Sequence, residues 1–223
     1  MSIILKDMLN LSYIRSIILS LLCIVIQGCN SQTKNKSEKV EIQMPFDLVN
    51  LTLKEDIENI MLSVNLSKKD TIKNNELTLL GNEKLVFASE KLLVFNKIKI
   101  AGKNNLDINN IIFHYGKIDP EIGVLNNEKN NVLGMYQINL YTKIESDKLY
   151  NNLKLLFGKP KNTYSLGPIN TTLWINNNIC YYYFTKDNDE FYRVLFVYKK
   201  NDKEWVDFIG SLGFDSGNLK SIN

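Results

Sequence analysis

Apolar residues fall into three successive patterns along this chain: one near-continuous run, then helical spacing, then short alternating stretches. Residues 17–26 are apolar apart from Ser20 and Cys23, and the segment from Asn30 to Ser37 is polar. Leu53, Ile57, Ile60 and Met61 then recur at helical spacing behind Thr52-Leu53-Lys54-Glu55, a capping-box pattern, and predict a helix over 53–64. β-rich runs follow at 76–80, 84–87, 92–100, 106–115 and 132–142, with turn residues at 81–82, 102–104 and 126–131. After Ser146 a second helical stripe, Leu149, Leu153, Leu156 and Phe157, runs into the stop signal Gly158 and Pro160. Strands are predicted again at 171–175, 179–185 and 191–199. A last helix opens at Asn201-Asp202-Lys203-Glu204, carries Trp205, Phe208, Ile209 and Leu212 on one face, and ends near Gly213.

The order helix, meander, helix, meander, helix predicts an α+β fold. Antiparallel meander sheets would have helices packed on one face, arranged as two related helix-plus-sheet halves divided near Glu145. The predicted organisation is a signal peptide over 1–28, a flexible tether over 29–44, and two halves, 45–145 and 146–223, packed as one unit. The tether would reach on the order of 20 Å. Val40, Ile42 and Met44 alternate, so a first strand at its end is the other reading.

Lys6 and Arg15 precede the apolar run and Gly28 follows it, the order of a secretory signal. The run is shorter than the ~20 residues a spanning helix needs. Ile26-Gln27-Gly28-Cys29 resembles the lipobox of bacterial lipoproteins, with Gln27 a less usual occupant of its position. The resemblance covers the first 29 residues. It implies that Cys29 becomes the new N-terminus and carries fatty acyl chains such as palmitate, which anchor the protein to a bacterial membrane. Each buried methylene contributes about 0.8 kcal/mol, so two or three chains hold firmly where one does not. Asn30, in place of an inner-membrane-retaining Asp, points to the outer membrane facing the periplasm. Ordinary secretion with a bare Cys29 thiol is the alternative.

Loss of residues 1–28 would leave 195 of the 223 residues and lower the formal net charge from +3 to +2. Of the remaining cations only Arg193 is an arginine, which disfavours a nucleic-acid or polyphosphate role. Cys180 is then the only cysteine besides Cys29, and its apolar strand suits a buried, inert thiol.

The stretch Leu155-Leu156-Phe157-Gly158-Lys159-Pro160, followed by Trp174 in a strand, resembles a pattern in small uncharacterised bacterial lipoproteins. Some of these, like immunity and inhibitor proteins, have TBP-like or BLIP-like folds. That resemblance implies a helix-plus-sheet body and no activity.

Candidate chemistry is sparse, and no cofactor or metal is expected. His114 is the only histidine, sits mid-strand and lacks a nucleophile elbow nearby, so it reads as structural or solvent-facing. Asp187, Asp189 and Glu190 lack the glycine and closing Glu of a calcium loop and read as a turn. Glu121 with Asp119, or the Asp187 cluster, would serve a carboxylate-dependent hydrolase only if brought into a cleft at 5–9 Å, roughly the glycosidase spacing.

Aromatics crowd the last third. Tyr181 and Tyr183 alternate with Tyr182 and Phe184, and Tyr192, Phe196 and Tyr198 share one side of their strand. One face should pack under the helices, leaving the other as a binding surface that includes Trp174, Tyr181, Tyr183 and Tyr192. The leading expectation is therefore a non-enzymatic envelope lipoprotein that binds a protein partner, as an inhibitor, immunity factor or assembly accessory. The alternative is a glycan- or peptidoglycan-binding module. A flat aromatic patch would favour protein, and solvent-exposed Trp174 or tyrosines in a concave groove would favour sugar.

Overall fold

A computed structural model describes residues 45–72, 83–116, 131–187 and 191–214. The chain divides into Met1–Met44 and Pro45–Asn223, and the described residues belong to the second unit. Their strands are β1 (Glu83–Phe87), β2 (Val94–Phe95), β3 (Ile98–Lys99), β4 (Asn110–Tyr115), β5 (Leu133–Leu140), β6 (Asn162–Leu166), β7 (Ile169–Asn176), β8 (Ile179–Lys186) and β9 (Tyr192–Lys199). The helices are α1 (Ile57–Ser63), α2 (Lys143–Phe157) and α3 (Lys203–Ile209). Seven strands form one antiparallel sheet in the order β1-β4-β5-β9-β8-β7-β6, and β2-β3 make a separate hairpin. The fold is α+β, and β5 and β9, the last strands of two meanders, meet at the centre of the sheet.

Both sheet faces are covered. Strand residues such as Phe113, Tyr136, Trp174, Tyr181, Tyr183 and Leu195 pack in one core with α1, α2 and the segment from Leu48 to Leu53. Met135, Cys180, Tyr182, Phe184, Phe196 and Tyr198 pack with Trp205, Val206, Phe208 and Ile209 of α3. The helices therefore do not all share one face as expected. Strands apolar on both sides must be covered on both sides, as in a buried central sheet, and α3 supplies the second layer. The predicted exposed aromatic face does not form, since Trp174, Tyr181 and Tyr183 are at most 3% exposed. Tyr192 is half-buried.

Local chemistry explains where predicted and observed boundaries differ. Helix α1 starts at Ile57, capped by the Asp56 carboxylate, which accepts from the Glu58 and Asn59 N–H groups. Glu55 instead accepts from the Thr52 and Lys54 N–H groups and the Thr52 hydroxyl, closing a turn in which Leu53 takes a φ of 61°. Helix α2 begins at Lys143, before Ser146, because the stripe of large apolar residues is silent about its first polar turn. The predicted strand 92–100 is broken by Asn96-Lys97, both at positive φ, in a two-residue hairpin turn. Asp47 fixes that turn: Oδ1 accepts from Asn96 N–H at 2.7 Å and Oδ2 from Lys97 N–H at 2.7 Å. The edge strand β6, whose only large apolar side chains are Tyr164 and Leu166, is not predicted from the sequence. The strand predicted at 76–80, the turn at 81–82 and residues 126–130 of the third predicted turn lie outside the described residues.

A bulge ties the two faces together. The β4–β5 register shifts between His114, opposite Met135, and Tyr115, opposite Leu133, leaving Gly134 unpaired. The Trp205 indole rests on it, so a Cβ there would lie 2.4 Å from Cζ2.

Candidate functional site

The sequence-derived site residues separate into two groups. Trp174 is structural: its indole N–H donates to the Gly158 carbonyl at 3.1 Å, and Gly158 closes α2 at a φ of 66°. Tyr192 stacks on Tyr141, with centroids 5.4 Å apart, and its hydroxyl donates to Asn139 Oδ1 at 3.1 Å. Tyr183 and Tyr181 lie in the α2-side core, two residues apart on β8, and each lines the floor of a separate cleft.

The first cleft, about 190 Å³, lies between α2 and the β7–β9 strands, with Ser146, Tyr183, Asp187 and Arg193 among its walls. Several of its polar groups bond to one another or to their neighbours. Tyr183 and Ser146 share a hydrogen bond of 2.6 Å. Burial pushes the Tyr183 hydroxyl up to about 12, against the lowering effect of that bond. Arg193 donates through Nη1 to the Lys186 and Tyr192 carbonyls at 2.8 and 3.1 Å and through Nη2 to Asp187, while its guanidinium lies 4.4 Å from the centroid of the Phe191 ring. Asp187 also accepts from Asn170 Nδ2 at 3.2 Å. The fork closes the base of the β8–β9 connection, and a guanidinium, with five donors spread over its planar head, suits three separate acceptors better than a compact ammonium does. Arg193→Lys should cost about 1–2 kcal/mol in urea unfolding, and an unchanged midpoint would show that the fork contributes nothing.

The second cleft is larger, about 500 Å³, and lies towards the other end of the same strands. One wall is the 49–54 segment. The other is the β7–β8 turn, where Asn177 and Asn178 both take positive φ, together with Ile179 and Lys199. Tyr181 contributes to its floor, its ring held by Phe157 at 4.4 Å and Phe95 at 6.2 Å. Burial pushes the Tyr181 hydroxyl up to about 12.

Two other candidates, His114 and Cys180, are sealed. His114 is 2% exposed, with ring contacts to Phe208 at 5.1 Å and Trp205 at 5.8 Å. Burial lowers its pKa to about 3, with the Lys84 charge acting the same way and a side-chain hydrogen bond to Gln137 opposing both. Gln137 in turn belongs to a buried amide ladder, donating to Asn139 at 2.7 Å, and Asn139 donates to Asn110 at 2.8 Å. Cys180 is buried, which raises its thiol to about 11. Asp119, Glu121, Asp189, Glu190 and Cys29 lie outside the described residues. Among the described residues no three His, Cys, Asp or Glu side chains gather to hold a metal, and no helix is long and apolar enough to cross a membrane.

Sequence reasoning missed the second cleft. Its walls come from segments more than a hundred residues apart, and its polar lining is asparagine, threonine and lysine, residue types that also fill ordinary turns. No protein-family model, no curated protein and no solved structure matches this chain.

Proposed function

We propose that the chain is a lipid-anchored protein of the bacterial cell envelope whose body is a binding module rather than an enzyme, and that its ligand is a glycan. The observation that carries the anchor is Ile26-Gln27-Gly28-Cys29, placed between an apolar run and a polar segment, ahead of a body that begins at Pro45. Attachment to the outer membrane, facing the periplasm, follows from Asn30. The non-enzymatic reading is supported by the state of the histidine and the free thiol of the body: His114 and Cys180 are both buried, away from either cleft. The glycan reading is supported by Tyr181, which is 3% exposed and lines a concave cleft. The topology also supports two related halves, since each would be a helix followed by a meander whose final strand meets its counterpart at the β5–β9 junction.

The anchor is tested by intact mass and metabolic labelling with a palmitate analogue. The expected product begins at Cys29 and carries acyl chains, and Cys29→Ser should abolish both the label and membrane retention. A product that keeps residues 1–28, or has a bare Cys29 thiol, would overturn the reading.

A second reading, a protein partner acting as inhibitor target, immunity cognate or assembly factor, is favoured by β6. Among the described residues this strand is a sheet edge paired only with β7, and its Leu166 is 62% exposed. An edge with open backbone groups can accept a partner's strand. A photo-crosslinker at Ser165 should capture such a partner in cells, and capture of none would discard this reading.

A further inference from the structure

We propose that the cleft between the 49–54 segment and the β7–β8 turn takes an acidic saccharide, a sugar ring bearing a carboxylate or phosphate, an inference that rests on the glycan-binding reading and names its ligand class. Three features of the cleft carry it.

The first is charge. Lys54 and Lys199 stand in opposite walls, and no carboxylate is among the lining residues. Glu55, next in sequence to Lys54, is engaged by the Thr52 and Lys54 N–H groups and the Thr52 hydroxyl. Neither lysine forms an ion pair among the described residues. The Glu55 carboxylate beside Lys54 and the Asp202 carboxylate near Lys199 lie outside the lining, so the cleft itself presents cationic side chains only, which favours an anion there.

The second is hydrogen-bonding character. Asn50, Asn176, Asn177 and Asn178 place four side-chain amides on the rim, and each amide offers donors and an acceptor side by side, the pattern that vicinal sugar hydroxyls match. Apolar surface from Leu51 and Ile179 is also present for the C–H face of a ring.

The third is Tyr181. It is 3% exposed, contributes to the floor, and its hydroxyl has no hydrogen-bond partner among the described residues. The hydroxyl is not a sealed, unsatisfied group: it keeps some access to solvent, and a ligand oxygen can reach it from the cleft. The smaller cleft differs on this point, because Ser146, Arg193 and Asp187 already satisfy one another or their neighbours. A volume of about 500 Å³ also falls within the range of small-molecule sites.

The test is calorimetric titration of the full chain in detergent with a uronate disaccharide and glucose 6-phosphate, against cellobiose as a neutral sugar and inorganic phosphate as a bare anion. At least one acidic sugar should bind saturably, about tenfold or more tighter than cellobiose. The double variant Lys54→Gln, Lys199→Gln should erase that preference while its melting temperature stays that of the parent. Tyr181→Phe should weaken the acidic sugar about 3–10-fold. Equal binding of cellobiose and both acids, or an acid preference untouched by the double variant, would overturn the acidic inference and leave glycan binding standing. Inorganic phosphate binding as tightly as glucose 6-phosphate would reduce the site to an anion hole and overturn it too. If no saccharide binds up to about 10 mM, this inference and the glycan reading both fall, while the anchor at Cys29 is judged separately by mass.

Discussion

Gly134→Ala should lower stability by about 1–3 kcal/mol or more, because the added methyl would sit 2.4 Å from Trp205 Cζ2 and 2.8 Å from Nε1. The indole cannot retreat cheaply: it is 3% exposed and packed against His114 and Phe208, at 5.8 and 5.6 Å. Moving it would displace the only α-helix among the described residues that covers this side of the sheet. A double-mutant cycle identifies the cause. Trp205→Leu alone should cost about 3 kcal/mol or more for a large buried aromatic. In that background Gly134→Ala should become nearly neutral, giving a coupling energy of about 1–3 kcal/mol. Additive losses in urea denaturation would mean that the glycine serves the bulge and not the indole.

Acid should weaken the same junction. The folded-state pKa of His114 is depressed to about 3 from an ordinary 6.5. Between those values the unfolded chain binds a proton that the folded chain does not, so stability is fully present above about pH 6.5 and falls as pH drops. The slope from this one group is about 1.4 kcal/mol per pH unit. Between pH 6.5 and 4.5 the loss is about 2–3 kcal/mol. Glu55 and Asp70, whose pKa values are lowered, add to the decline only below the ordinary carboxylate range. For Glu55, burial pulls upward and is outweighed by hydrogen bonds from Thr52 and Lys54, and for Asp70 the Ser67 bonds dominate. His114→Leu should therefore be nearly flat from pH 7 to 5, although it strands the Gln137 amide and begins from lower stability. Parallel pH profiles for parent and variant would show that His114 is not the titrating group.

Much of the strand framework was legible because strands β4, β5, β8 and β9 carry dense β-branched and aromatic residues between turn signals. Alternation also placed Tyr181 and Tyr183 opposite Tyr182 and Phe184, as their two separate cores show. What alternation could not supply was the cover. A strand apolar on both sides reads the same whether its second face meets a helix or a partner. The binding surface was accordingly expected where the structure buries Trp174 in a cap on α2 and Tyr183 against Ser146. The first helix was predicted early for a related reason. The Thr52–Glu55 spacing does form its reciprocal bond, but around a left-handed Leu53, and Asp56 takes the capping role. β6 escaped notice because an edge strand facing solvent has no need of apolar residues.

The central pairing of β5 with β9 bears on biosynthesis. Leu133–Leu140 and Tyr192–Lys199 are separated by α2 and strands β6, β7 and β8, so a chain emerging from the ribosome cannot zip its middle until almost everything else has been made. Until then Leu133–Leu140 offers an unpaired strand edge, the kind of template on which unrelated chains aggregate. The closing step brings together partners far apart along the chain, and contacts of that kind are slow to form. The newborn molecule thus passes through a vulnerable interval, and its yield in a cell would depend on how well holdase chaperones shield that one unpaired border.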